Sequence, residues 1–376
     1  MKANTEGRLA YIDSLRAISA MLVLWTHVGQ VFVDLSAATK ASSWVYDLAF
    51  RTAAGRAGVV TFFAISGFVI PFSIKLGRSH PVREFALTRF FRLYPAYWLS
   101  IPLGIFLCEL LWGRSFTVGE FLVNLTMLET FFDVKPAIGL YWTLAVELVF
   151  YVCCIVLVLT GNMTNYRRIA ALVLVLLAAH VLPVVLTARN GMSQWLVPTF
   201  WCLHIAIMFW GTLYRAHQRG DATSRFETFC VHGVAAFLIV IYPLLFTGVF
   251  GISSGFTIGY ALGVLLFIVG TRFVRVEWRP LAWIGLISYS IYLLHPVVHS
   301  PILYGLKKLP ADSWWRSWHL GFYVLAMLLL TIGVSALVYY LVERPSIRLG
   351  RRLAVQWFDK AGPAVAPSLE TSGSAG

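Results

Sequence analysis

The chain has 376 residues, of which 59% are hydrophobic and 12% charged, with a mean hydropathy of +0.76 and a formal charge of +13. Apolar runs of about twenty residues recur along it, enough to cross a hydrocarbon core about 30 Å thick, so the composition excludes a soluble globular domain. The positive charge sits in alternate short segments, which argues against a nucleic-acid partner and fits the positive-inside pattern of a protein whose solvent is the lipid bilayer.

Taken in order, the apolar runs predict an all-α polytopic membrane protein with ten spans: 11–33, 57–74, 93–112, 138–160, 169–188, 195–214, 229–250, 252–271, 281–304 and 320–342. The first span reads as a retained helix and not a cleavable signal, because polar residues interrupt it. Arg83, Arg89 and Arg92, then Arg167 and Arg168, then Arg215, Arg219 and Arg225, then Arg272, Arg275 and Arg279, fall in alternate connections. Arg344, Arg348, Arg351 and Arg352 follow the last span. This alternation predicts both termini in the cytoplasm. The apolar stretch 121–132 is too short to cross and is expected to lie at the interface or re-enter. Residues 1–356 form one transmembrane domain, and the Gly, Ala, Pro and Ser of 357–376 predict a disordered cytoplasmic tail. Five cysteines lie in or beside apolar spans without metal-ligand spacing and read as small core hydrophobes. No metal site is expected.

The first span breaks the rule that it otherwise obeys, since it contains Arg16 and His27. An ionisable group at the bilayer centre costs roughly 2.5 to 3.5 kcal/mol on insertion scales and marks function by default. Eleven helical steps return to within about 20° of the starting face and rise about 16 Å, so the two project on one side at different depths. Arg89 and Arg92 stand three apart, on one face of any helix, and their guanidinium forks suit phosphate oxygens. In the fourth span Glu147 and Tyr151 are neighbours at four residues' spacing, and the carboxylate needs a partner, for which a residue of the first helix is a candidate. In the ninth, Ser288, Tyr292 and His295 make one polar stripe facing a cavity or neighbour. His180 and His204 read as histidines satisfied by helix packing.

Metalloprotease, serine-hydrolase and nucleotide-loop motifs are missing, so what remains is a basic mouth with His and Glu deep inside. Two function classes follow: an enzyme using His27 as a base, or a proton-coupled transporter or channel with Arg16, His27 and Glu147 along its path. The absence of an internal repeat weighs against the inverted-repeat transporter folds.

The motifs resemble those of the membrane-bound acyltransferase-3 family. They are Ile12-Asp13-Ser14-Leu15-Arg16-Ala17 with His27, Gly58 through Phe62-Phe63-Ala64-Ile65-Ser66-Gly67-Phe68, and Arg89 and Arg92 before Tyr94-Pro95-Ala96-Tyr97-Trp98. Trp142 through Glu147 to Tyr151, Ile284-Gly285 through Ser288 and Tyr292 to His295, and Glu343-Arg344-Pro345 complete the set. The resemblance implies a bacterial inner-membrane protein that transfers an acyl group, usually acetyl, from cytoplasmic acyl-CoA to a hydroxyl of a carbohydrate or glycolipid. It implies Arg16 and His27 as the signature pair, Arg89 and Arg92 as donor-binding arginines, and Glu147 and Tyr151 within the pore. On this reading His27 deprotonates the acceptor hydroxyl, with a covalent acyl-histidine as the second route, Glu147 orients His27 or stabilises its protonated form, Tyr151 donates to the developing oxyanion, and Arg16 assists both chemistry and acetyl-CoA binding. Ser288, Tyr292 and His295 then line the substrate pocket. At Val60-Thr61 many members carry an acidic residue just before the paired phenylalanines, and this chain does not.

Overall fold

A computed structural model describes residues 9–187, 196–248 and 254–358. Its secondary structure is helical throughout, with no strand among the described residues. The helices are α1 (Ala10–Phe32), α2 (Ala37–Ala41), α3 (Trp44–Arg51), α4 (Ala54–Val69), α5 (Pro81–Gly104), α6 (Val118–Asn124), α7 (Trp142–Leu159) and α8 (Tyr166–Thr187). There follow α9 (Leu196–Arg219), α10 (Arg225–Ala236), α11 (Tyr242–Gly248), α12 (Ser254–Ile268), α13 (Arg279–Leu286), α14 (Ser288–Lys308), α15 (Leu320–Val338) and α16 (Arg344–Phe358). Eight helical runs among the described residues are long and apolar enough to cross a membrane, nine if α13 and α14, which meet at 69°, count as one. The remaining expected span, 195–214, starts at residues outside the described set; its helix, α9, has 24 residues.

Several boundaries differ from expectation for identifiable reasons. Pro81 opens α5 at its first turn, where the missing N–H costs nothing. The helix therefore begins twelve residues before the apolar run at Leu93, and Arg89 and Arg92 are helical, not in a connecting loop. The stretch 121–132 does not cross: α6, started by a Thr117–Glu120 capping box, gives way to a single turn at Glu129–Phe131. Tyr97 donates from α5 to the Asn124 carbonyl at 2.6 Å and holds this segment in place. At the C-terminal end, Trp357 and Phe358 belong to α16, while 359–376, the rest of the expected tail, lie outside the described residues.

The centre of the bundle is α1 and α4. Two-thirds of the α4 span is buried, whereas the run from α15 through α16 is only 22% buried and shows Phe322, Leu329 and Leu337 to the outside. The central helices approach closely because small residues let their backbones meet, the usual device where lipid supplies no hydrophobic drive between helices. A Cβ at Gly67 would stand 1.6 Å from the Met208 carbonyl oxygen, and one at Gly285 would stand 1.8 Å from that of Asp13. Thr61 is fully buried and donates to the Ala57 and Gly263 carbonyls at 2.8 and 3.0 Å. A carboxylate there would have no cavity to enter.

The basic segments converge at the N-terminal end of α1. Arg275 lies 5.0 Å over the ring of Tyr11, Arg215 and Arg219 lie 4.6 and 5.3 Å over that of Phe72, and Arg89 hydrogen-bonds to Ser73.

Candidate active site

Two cavities open along α1, one at each depth of its ionisable residues. The arginine cavity, of about 120 Å³, is lined by Arg16, Arg89, Arg92, Glu147, Tyr151, Ser288 and Tyr292. The histidine cavity is larger, about 460 Å³, and is lined by His27, Gln30, Tyr46, Arg56, Trp142, His204, Tyr260 and Tyr292. Val59 and Tyr292 face both. The Tyr292 hydroxyl, held by Thr143 at 2.6 Å and by the Leu140 carbonyl at 3.1 Å, forms the partition. The polar stripe of the ninth expected span thus runs from one cavity to the other: Ser288 in the first, Tyr292 between, and His295 against His27.

In the arginine cavity charges are set against one another. Arg92 pairs with Glu343 at 3.1 Å, and the other carboxylate oxygen of Glu343 accepts from Ser290 at 2.7 Å. Glu343 reaches Arg92 because a wide turn of helix, Tyr339–Glu343, interrupts the run between α15 and α16; such bulges recur at functional positions. Tyr151 donates to Glu147 at 2.6 Å. Its hydroxyl proton is therefore committed to a carboxylate, not free for an oxyanion. Glu147 shares this cavity with Arg16 and does not contact His27, so the expected orienting role falls elsewhere. Ser288 is fully buried with an unpartnered hydroxyl.

What orients His27 is His295. Its Nε2 lies 2.9 Å from His27 Nδ1, with the rings stacked at 5.2 Å and 11°. The other nitrogen of His295, Nδ1, lies 3.2 Å from the Ile291 carbonyl oxygen. A carbonyl only accepts, so His295 Nδ1 carries the proton and its Nε2, in the neutral ring, presents a lone pair. His27 Nδ1 must then be the donor, which leaves the lone pair of His27 on Nε2. One backbone carbonyl fixes the tautomer of both rings. The sequence placed His295 on the right face of its helix, but nothing local to either residue showed the pairing across 268 positions.

Other assignments divide. His180 bonds to Thr199 and Tyr242 at 3.0 and 3.2 Å, as a packing histidine would. His204 bonds to Tyr260 at 2.8 Å and also lines the histidine cavity. Glu343 and Arg56 gave no individual signal in the sequence, although Glu343 lay in a motif. The five cysteines form no disulfide, and no group of three His, Cys, Asp or Glu among the described residues could hold a metal ion.

A helical bundle with ionisable groups lining two internal chambers is the layout of a multi-pass membrane protein with a polar interior. Residues 9–340 match the acyltransferase-3 family, described as an acyltransferase domain, and the chain belongs to that family. It is a membrane acyltransferase, which answers the transporter alternative. The chain is 24% identical over 396 residues to Nodulation protein 10 of Rhizobium leguminosarum bv. viciae, a match covering 94% of this chain and 98% of that protein. No solved structure matches it.

Proposed function

We propose that the protein is an O-acyltransferase of a bacterial inner membrane that moves an acetyl group from cytoplasmic acetyl-CoA to a hydroxyl of a surface or exported carbohydrate or glycolipid. His27 is the general base. The observation that carries this reading is the His295–His27 pair: it leaves a neutral imidazole with its lone pair on Nε2, in a polar cavity separated by one tyrosine from a cavity that holds three arginines. The N-terminus is cytoplasmic on this reading, because the basic segments gather at the end of α1 that precedes Arg16.

Arg16, Arg89 and Arg92 bind the donor's phosphates with charge-assisted hydrogen bonds. The thioester arm extends along α1 past Tyr292. The rise of about 16 Å between Arg16 and His27 is the span that such an arm has to cover. In the histidine cavity, His27 Nε2 takes the proton of the acceptor hydroxyl as its oxygen attacks the thioester carbonyl. The tetrahedral species collapses, the carbon–sulfur bond breaks, and the imidazolium returns the proton to the departing thiolate. Products are an ester and free CoA, with neutral His27 restored. His295 accepts the Nδ1–H throughout and holds the ring. Glu147 lines the donor cavity as a counter-charge to its arginines beyond ion-pair distance of Arg16, with Tyr151 holding its carboxylate.

The test is turnover of radiolabelled acetyl-CoA by the purified full chain in nanodiscs with a carbohydrate-rich envelope extract. Label appearing in alkali-labile ester on carbohydrate is the expected result. Acetyl-CoA that neither binds nor turns over would overturn the donor assignment.

A further inference from the structure

Among the arginines that line the two cavities, Arg89 has Ser73 and Arg92 has Glu343, whereas Arg16 and Arg56 have no carboxylate within ion-pair distance among the described residues. Arg16 is accounted for by the donor. Arg56 lies in the first turn of α4, half-buried, with its guanidinium 3.7 Å over the ring of Phe256 and 5.7 Å from that of Tyr260. Stacking on a ring face leaves the in-plane N–H edges of the fork for a ligand. Among the described residues no Asp, Glu or Lys lines the histidine cavity and Arg56 is its one fixed charge, while Trp142, Tyr46 and Tyr260 give it flat aromatic walls. Aromatic faces with a few convergent polar groups suit a sugar ring, and a guanidinium that meets the Tyr260 hydroxyl but no carboxylate among the described residues suits an incoming carboxylate.

We propose that the acceptor is an acidic carbohydrate whose uronate-type carboxylate pairs with Arg56 while a neighbouring hydroxyl faces His27. This rests on the acceptor reading above and names its chemical class. One guanidinium matches one negative charge; a dianionic phosphate would call for a second cation, and the cavity offers no other fixed one among the described residues.

The experiment measures binding to the full chain in nanodiscs, by intrinsic tryptophan fluorescence, of two tetrasaccharides of similar size. One alternates glucuronate with N-acetylglucosamine; the other is neutral chitotetraose. The acidic sugar is expected to bind at least about tenfold more tightly, with the difference shrinking as salt rises. Arg56→Gln should bring the two within about threefold of each other, and Arg56→Lys should retain part of the preference. Equal affinities, no binding of either sugar at about 10 mM, or a preference that survives Arg56→Gln would overturn the inference and leave Arg56 as a stacking anchor of α4 on α12. Acetyl-CoA binding is measured in the same nanodiscs. Its absence would sink the transferase reading itself, whereas intact donor binding without acid preference sinks only the acceptor class.

Discussion

The two cavities differ in how they treat charge. The arginine cavity sets three guanidinium groups among Glu147 and the buried Glu343, so its cations are partly neutralised before any ligand arrives. The histidine cavity is about four times larger and, among the described residues, holds a single guanidinium with no carboxylate on its walls. The difference teaches a division of labour. In the first, phosphate oxygens meet cations that the protein already offsets in part, and Arg92 can keep Glu343 while its other N–H groups face the ligand, so that the buried carboxylate is not left without its cation. The second has little charge to rearrange, and its aromatic walls, single guanidinium and neutral imidazole suit a sugar acceptor during proton transfer.

The largest effect that could break this comparison comes from the base. His27→Ala should lower acyl transfer by at least about 10²-fold, the lower range for a lost general base, without changing membrane abundance or donor binding. Near-normal turnover would remove His27 from the chemistry. Because only the neutral ring has a free lone pair, activity should also fall as the pH is lowered, in a limb that the variant lacks.

Next in size, Arg89→Ala and Arg92→Ala should raise the donor KM about tenfold with kcat little changed, as expected for lost ground-state contacts. Lys should rescue only in part, because it lacks the planar fork. A large loss of kcat at constant KM in both would contradict a donor-binding cavity. His295→Phe keeps a ring against His27 but removes the acceptor for its Nδ1–H. It should lower kcat about tenfold, with the donor KM unchanged and the acid limb displaced, a readout that a packing role would not move. The smallest effect concerns the partition: Tyr292→Phe removes the hydrogen bonds to Thr143 and Leu140. Acceptor-independent hydrolysis of acetyl-CoA, followed as thiol release, should then rise about threefold as the barrier between the cavities loosens.

Much of this was legible in the sequence where the signal was local. Apolar length marked the helices, and the cost of charge in lipid singled out Arg16, His27 and Glu147. Helical spacing put Ser288, Tyr292 and His295 on one face, and in the structure Ser288 and Tyr292 line the cavities while His295 lines neither and stands behind His27. What was not legible depends on contacts between distant segments. Glu343 meets Arg92, and His295 meets His27, only after helices far apart in the chain pack together. Hydropathy also ran straight through the bend at Ile287 and past the start of α5, because it registers apolar composition and not Pro81 or a broken hydrogen-bond ladder. Arg56 was invisible because an arginine at a helix start looks like any flank until its rings and its lack of a carboxylate are seen.

The central claim, donor on one side and acceptor on the other with His27 between, is tested most directly by sidedness. Radiolabelled acetyl-CoA is added to the bath of sealed vesicles of defined orientation, loaded with envelope carbohydrate, and acetyl ester is measured on each face. Inside-out vesicles should consume the donor and place the ester in the lumen, while right-side-out vesicles should leave bath donor untouched. Transfer that requires donor and acceptor in the same compartment would contradict the two-cavity account.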